Sequence, residues 1–267
     1  MIPKVFHFVW LDRGKQMGDL EFTSILSKVA LYGNEFKYIL WVDNKDFRLP
    51  YQTDFFGRLE VKYLHSEVPK LKWYSRDKRY WDIKSGVPFE CDYYRFQLLN
   101  KLGGIYSDLD SISIKKLPEQ YFKYSWVSCI EHDPKNRNVY GSFIGFFMCE
   151  AGCDYLYRFL YLRDRILPKY SPNNQLGILC GQTEGTRFIR HKRFQPLNFT
   201  EIPDWIRSNS EIIDFANGKY DSYEFHIFTD WLKNYPQLNE YLKTKLYNYQ
   251  NYLLEYEDKF NHSNVSS

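Results

Sequence analysis

Asp92-Tyr93-Tyr94-Arg95-Phe96-Gln97-Leu98-Leu99-Asn100-Lys101-Leu102-Gly103-Gly104-Ile105-Tyr106-Ser107-Asp108-Leu109-Asp110 changes its period midway. From Glu90 to Leu102 the apolar residues Tyr93, Phe96, Leu99 and Leu102 recur every three positions, which predicts a helix with one buried stripe. Gly103-Gly104 supplies the left-handed turn that ends such a helix, and an extended strand is expected from Ile105. Side chains alternate along a strand, so Tyr106, Asp108 and Asp110 would share one face while Ile105 and Leu109 take the other. Two carboxylates at that spacing offer hard oxygen ligands to one divalent cation such as Mn²⁺ or Mg²⁺. Taken alone, an Asp-x-Asp is more often a pair of solvated turn aspartates.

Its surroundings strengthen the metal reading. Asp92 and Arg95 lie three apart, on one face and near the start of the expected helix, where an acid and a base can hold sugar hydroxyls and phosphate. The simpler reading is a surface ion pair, which contributes little to stability. No GxxxxGK[ST] loop and no GxGxxG opening a helix occurs, so a nucleotide would need another positive centre, which a cation at Asp108 and Asp110 supplies.

Working towards the N-terminus, Val5–Trp10 and Tyr38–Val42 are near-continuous apolar runs, the pattern of parallel strands buried on both faces. Phe22, Ile25, Leu26 and Val29 recur at helical spacing between them, with Asp19 as the expected cap and Gly33 as the stop. Strand, helix, strand predicts a βαβ unit and a parallel sheet. Asp43-Asn44 then stands at the carboxyl end of a strand, where open α/β sheets bind ligands. Val61–Leu64 reads as a short strand, Lys70–Phe89 as a loop with some helix, and Ser125–Ile130 and Ser142–Met148 as strands. A helix is expected from Asp154 to Leu167, stopped by Pro168, and an amphipathic one from Pro236 to Phe260. The organisation expected is a catalytic domain over residues 1–235 and a C-terminal helix with a short flexible tail over residues 236–267.

Composition narrows the function classes. The 267 residues are 44% hydrophobic and 26% charged, with a net charge of +3 that is too small and too evenly spread to indicate nucleic acid as a partner. The aromatic share is 19%, with 24 Tyr. Tyrosine suits partly wet clefts that hold sugars or nucleotides, although the abundance of Lys, Asn, Tyr and Phe also fits a plain compositional bias. Cys91, Cys129, Cys149, Cys153 and Cys180 are odd in number and have no CxxC spacing, so reduced thiols are expected. No secretory leader pattern and no run of transmembrane length is present, which predicts a cytoplasmic protein and is compatible with peripheral association at the inner face of a membrane.

The stretch Asp92–Asp110, with helix, glycine turn and acidic strand in this order, resembles the glycosyltransferases with a DXD-containing sugar-binding region, glycosyltransferase family 32. More distantly it resembles the large clostridial glucosylating toxins. The resemblance implies an α/β protein of the GT-A fold: a mostly parallel central sheet flanked by helices, with a C-terminal helical appendage. It also implies a hexosyltransferase that takes its sugar from a UDP- or GDP-sugar, with retention of configuration. Ile2-Pro3-Lys4-Val5-Phe6-His7-Phe8-Val9-Trp10 looks like the family's opening strand, which would put Val9 and Trp10 at the nucleotide base. Asp43 and Asn44 would approach the nucleoside, and Asp92, Arg95, Tyr106 and Asp108 the sugar and diphosphate. Phe225-His226-Ile227-Phe228-Thr229-Asp230-Trp231 resembles the family's closing segment, which would make His226 a third metal ligand and Trp231 a catalytic N–H donor over the diphosphate.

The chain departs from the family pattern at Gly141-Ser142-Phe143-Ile144, where many members have an Asn-Ala-Phe-Ile-like strand, and at Gly181-Gln182, where a Gly-Pro pair is usual. Donor identity is therefore open. Glu184 is the only loosely placed carboxylate that suggests a nucleophile, so a covalent intermediate and front-face attack both stay open. The acceptor could be a glycan, a lipid-linked sugar or a protein. Two rivals compete: phosphatases and phosphotransferases, whose Asp-x-Asp follows a first strand rather than falling mid-chain, and a non-catalytic sugar-nucleotide-binding or scaffold protein that kept the fold.

Overall fold

β1 (Val5–Trp10) is covered on both faces, and its neighbours explain why its sequence is apolar almost throughout. A computed structural model describes residues 1–49, 58–70, 83–132, 139–154, 156–157, 194–197, 224–226 and 236–263. Phe6 and Phe8 enter one core cluster with Phe22, Ile25, Leu26 and Val29 of α1 (Asp19–Tyr32). Val9 enters the other, with Tyr94, Phe96, Leu98 and Leu99 of α2 (Ile83–Leu102). Alternation along the strand thus feeds two helical layers with the sheet between them.

Strands β2 (Lys37–Val42), β3 (Leu59–Tyr63), β4 (Gly104–Ser107), β6 (Trp126–His132), β7 (Val139–Cys149) and β8 (Phe194–Leu197) join β1 in one sheet of order β3-β2-β1-β4-β7-β6-β8. The pairs β1–β2, β2–β3, β1–β4 and β6–β8 are parallel, while β7 runs antiparallel to β4 and β6. The order reverses at β1, whose two neighbours are β2 and β4. Such a reversal opens a crevice outside the carboxyl ends of the strands, here those of β1 and β4. A second sheet pairs β5 (Ser111–Ser113) with β9 (Glu224–His226). α3 (Pro236–Ser263) packs on α1, with Leu246 in the α1-side core. No described helix is long and apolar enough to cross a membrane.

Several local expectations are corrected. Asp19 is the first residue of α1 rather than its cap; Gly18 takes that place, and the Glu21 carboxylate accepts the Gly18 N–H at 2.8 Å. α2 begins at Ile83, so Asp92 and Arg95 lie mid-helix and not near its start. Its buried face is wider than the predicted stripe: Asp92, Tyr94, Arg95, Phe96, Leu98 and Leu99 are buried, while Tyr93 and Leu102 are only half-buried. The expected helix from Asp154 lies largely outside the described residues.

The glycine pair behaves as predicted, and for a steric reason. Gly103 and Gly104 have φ of 66° and 105°. A Cβ on Gly104 would sit 2.7 Å from Val5 O and 2.8 Å from His7 Nε2, so only glycine lets α2 turn into β4 against β1.

Candidate active site

His7 locks that turn. Its Nδ1 accepts the Trp41 indole N–H at 3.0 Å, which leaves Nε2 protonated and donating to Gly103 O at 3.0 Å. The imidazole is fully buried, and burial pushes its pKa down to about 4, partly opposed by the Gly103 bond. The folded protein therefore holds His7 neutral where the unfolded chain, at its ordinary 6.5, takes up a proton. Stability from this group is complete above pH 6.5 and is lost as pH falls towards 4, by about 3 kcal/mol over that window. We expect the urea midpoint to fall more between pH 7 and 4.5 for the wild type than for His7→Gln; equal falls would contradict the assignment.

From this anchored turn β4 runs only to Ser107. Asp108–Asp110 is therefore not strand, as the alternation predicted, but the turn beyond it: the Ser111 N–H donates to Asp108 O at 3.3 Å. The Asp108 N–H donates to Gly145 O of β7 at 2.7 Å, and Leu109 is buried in the α1-side core. Both aspartates stand half-buried at the crevice end of β4.

Two of the predicted side chains, Tyr106 and Arg95, meet Asp108, and a third, Asp92, is joined to it through Arg95. The Tyr106 hydroxyl donates to Asp108 Oδ1 at 2.8 Å. Arg95 Nη2 lies 3.2 Å from Oδ1 and 2.7 Å from Asp92 Oδ1, and Nη1 lies 3.4 Å from Asp108 Oδ2. The guanidinium also stacks over the Tyr106 ring at 4.5 Å. Burial works against the Arg95 charge, but the attraction of Asp108 and Asp92 outweighs it and raises the pKa above its ordinary value. Burial likewise raises the Tyr106 phenol, so it stays a donor. Asp92 and Arg95 are not the surface pair of the simpler reading but a buried bridge between α2 and the Asp-x-Asp turn.

A second polar cluster is built from the loops after β1 and β2. Asp43 accepts the Asp12 N–H at 2.7 Å and pairs with Arg13, whose other nitrogen reaches Glu90 at 2.7 Å. Asn44 donates to Asp12 Oδ2 at 2.8 Å, and that bond, with the Gly14 N–H, lowers the Asp12 pKa. A cavity of about 390 Å³ opens beside them, lined by Asp12, Lys15, Asn44, Phe47 and Arg48 among others. Trp10 is half-buried against the α1-side core, and its Nε1 has no hydrogen-bond partner among the described residues. The Val9 side chain is core on the α2 side.

The closing segment is only partly described. β9 runs antiparallel to β5 with His226 opposite Ser111, so the backbone brings His226 beside the residue that follows Asp110. Trp231, Thr229, Glu184 and Gly181-Gln182 lie outside the described residues. Among the described residues no group of three or more His, Cys, Asp or Glu is placed to hold a metal. Sequence reading missed His7, Arg13 and Glu90, and it missed the polar face of α1. Ser24, Ser27 and Lys28 recur at helical spacing within an apolar helix, a signal that could have revealed that face.

Residues 21–128 match the family described as "Glycosyltransferase sugar-binding region containing DXD motif". No curated protein sequence matches the chain. Among solved structures, the PaToxG glycosyltransferase is similar over 70% of this chain and 68% of its own, at 15% identity and a TM-score of 0.51. The glycosyltransferase GlyE of Streptococcus pneumoniae is similar over 97% of this chain and 64% of its own, at 12% identity and a TM-score of 0.51. At such identities the likeness speaks for the fold. The chain therefore has the GT-A fold, and its residues 21–128 are similar to the DXD-containing sugar-binding region of that glycosyltransferase family.

Proposed function

We propose that the protein is a metal-dependent glycosyltransferase that moves a hexose, with retention, from a UDP- or GDP-sugar to an acceptor hydroxyl during synthesis of a surface polysaccharide or other glycoconjugate. The observation that carries this reading is the Asp108–Ser111 turn at the reversal point of the sheet, with Arg95 and Tyr106 bonded to Asp108 and Asp92 bonded to Arg95. Asp108 and Asp110, with His226, would hold Mn²⁺ or Mg²⁺. The donor set fits: cations of this kind take one or two carboxylates and leave their other positions to water and substrate phosphate, so a full protein cage is not required. Bound there, the cation would neutralise charge on the departing nucleoside diphosphate.

The chain's own residues orient the reactants. Arg95 holds the Asp92 and Asp108 carboxylates in fixed directions, and with them positions the sugar. Trp10 would stack on the base, Asp43 and Asn44 would meet the ribose, and Trp231 would offer an N–H to the diphosphate. A glycan, a lipid-linked sugar or a protein would supply the acceptor hydroxyl, and a place at the inner face of a membrane suits a lipid-linked one.

The test is release of UDP or GDP from a panel of nucleotide hexoses in Mn²⁺. Turnover of one donor supports the reading; tight nucleotide binding with no turnover of any donor would favour the scaffold alternative. Asp92→Ala is expected to lower turnover at least about tenfold while leaving affinity for free UDP or GDP nearly unchanged, because the free diphosphate has no sugar to contact. Equal losses for diphosphate and intact donor, by calorimetry, would count against the sugar role.

A further inference from the structure

α1 turns a polar face inward. Thr23, Ser24, Ser27 and Lys28 are each 1% exposed or less, and burying a lysine is unfavourable unless its ammonium is well bonded. What this face meets is the backbone of the Asp-x-Asp turn and of β5. Ser24 Oγ donates to Ser111 O at 2.5 Å and lies 3.2 Å from Asp108 O. These are the carbonyls of the last and first residues of the turn. The Lys28 ammonium donates to Ser111 O and lies 3.4 Å from Ser24 Oγ. One turn along, Ser27 Oγ accepts the Ser113 N–H at 3.0 Å.

We propose that Ser24 and Lys28 are positioning residues that clamp both ends of the Asp108–Ser111 turn and so set the separation and direction of the Asp108 and Asp110 carboxylates. Neither touches substrate. The inference rests on the reading of those carboxylates as cation ligands. The turn is closed by one backbone bond, with the Asp108 N–H held by Gly145 O and Leu109 in the core, so the motion left to it is a limited rocking about the dihedrals of Leu109 and Asp110. The ammonium on Ser111 O and the hydroxyl lying between Ser111 O and Asp108 O restrict that motion, and groups that orient ligands from behind typically change metal affinity or activity by about 10–100-fold when removed.

The test is Mn²⁺ binding to the full chain in the presence of UDP or GDP, followed by electron paramagnetic resonance of the free ion. Wild type, Ser24→Ala, Lys28→Met and Asp110→Asn would be compared, each with its thermal midpoint. Ser24→Ala is expected to weaken Mn²⁺ binding about tenfold and to speed hydrogen exchange at the Ser111 amide. Lys28→Met separates positioning from stability, since it removes the cost of burying an ammonium together with its bonds while Ser24 still bonds Ser111 O. Its loss of a positive charge would by itself tighten a cation, so weaker Mn²⁺ binding by a stably folded Lys28→Met supports the clamp. If both variants bind Mn²⁺ as the wild type does while Asp110→Asn does not, the clamp is overturned and the metal reading stands. If Asp110→Asn also binds like the wild type, the metal reading fails and the clamp falls with it.

Discussion

Asp110→Asn is expected to lower sugar transfer at least about a hundredfold while leaving the urea midpoint near that of the wild type. The two side chains are nearly isosteric, so the Asp108–Ser111 turn, pinned by Ser24, Gly145 and buried Leu109, has no steric cause to move. What changes is charge. Asp108 already accepts from Tyr106 and pairs with Arg95, so part of its negative charge is compensated within the protein. Asp110 would then contribute most to holding a cation, and an amide oxygen is a weaker ligand for a hard ion. Initial rates over a range of Mn²⁺ concentrations measure the effect; unchanged rates in a folded variant would remove Asp110 from the site.

The second large effect is on stability. Arg95→Met is expected to lower the unfolding free energy by about 3–5 kcal/mol, because removing one partner of a buried ion pair strands the other's charge. Here two carboxylates lose their partner at once, Asp92 at 10% and Asp108 at 22% side-chain exposure. Arg95→Lys should recover only part of the loss. The planar fork reaches Asp92 and both oxygens of Asp108 while lying on the Tyr106 ring, and a single ammonium cannot reproduce that geometry. Urea unfolding of the three proteins checks the order, and an Arg95→Met protein as stable as the wild type would mean that the bridge contributes no net stability.

What the sequence revealed follows from where its signals are local. The apolar runs of β1 and β2 read as buried parallel strands because helices cover both faces, and the glycine pair read as a turn because sterics allow nothing else there. The start of α2 was missed because Lys70–Phe89 shows no clear period, and the helix runs through Ser85-Gly86-Val87-Pro88, residues of low helix preference. The period-two argument placed Asp108 and Asp110 on a strand; β4 ends first, and it is the turn that presents the two aspartates at the crevice. Asp92 and Arg95 were found by helical spacing, but their burial depends on a long-range partner, Asp108. The pairing of β5 with β9, and so the approach of His226, joins distant parts of the chain and leaves no local trace.

The central claim is that the Asp108–Asp110 turn holds a cation against a nucleoside diphosphate. Calorimetric titration of UDP and of GDP into the wild type and into an Asp108→Asn/Asp110→Asn double variant, each with Mn²⁺ and with EDTA, addresses it most directly. The account predicts binding of one of the two diphosphates by the wild type in Mn²⁺, loss of at least about tenfold in affinity in EDTA, and a double variant indifferent to the metal. Equal affinity with and without Mn²⁺, or a double variant that binds as the wild type does, would contradict it.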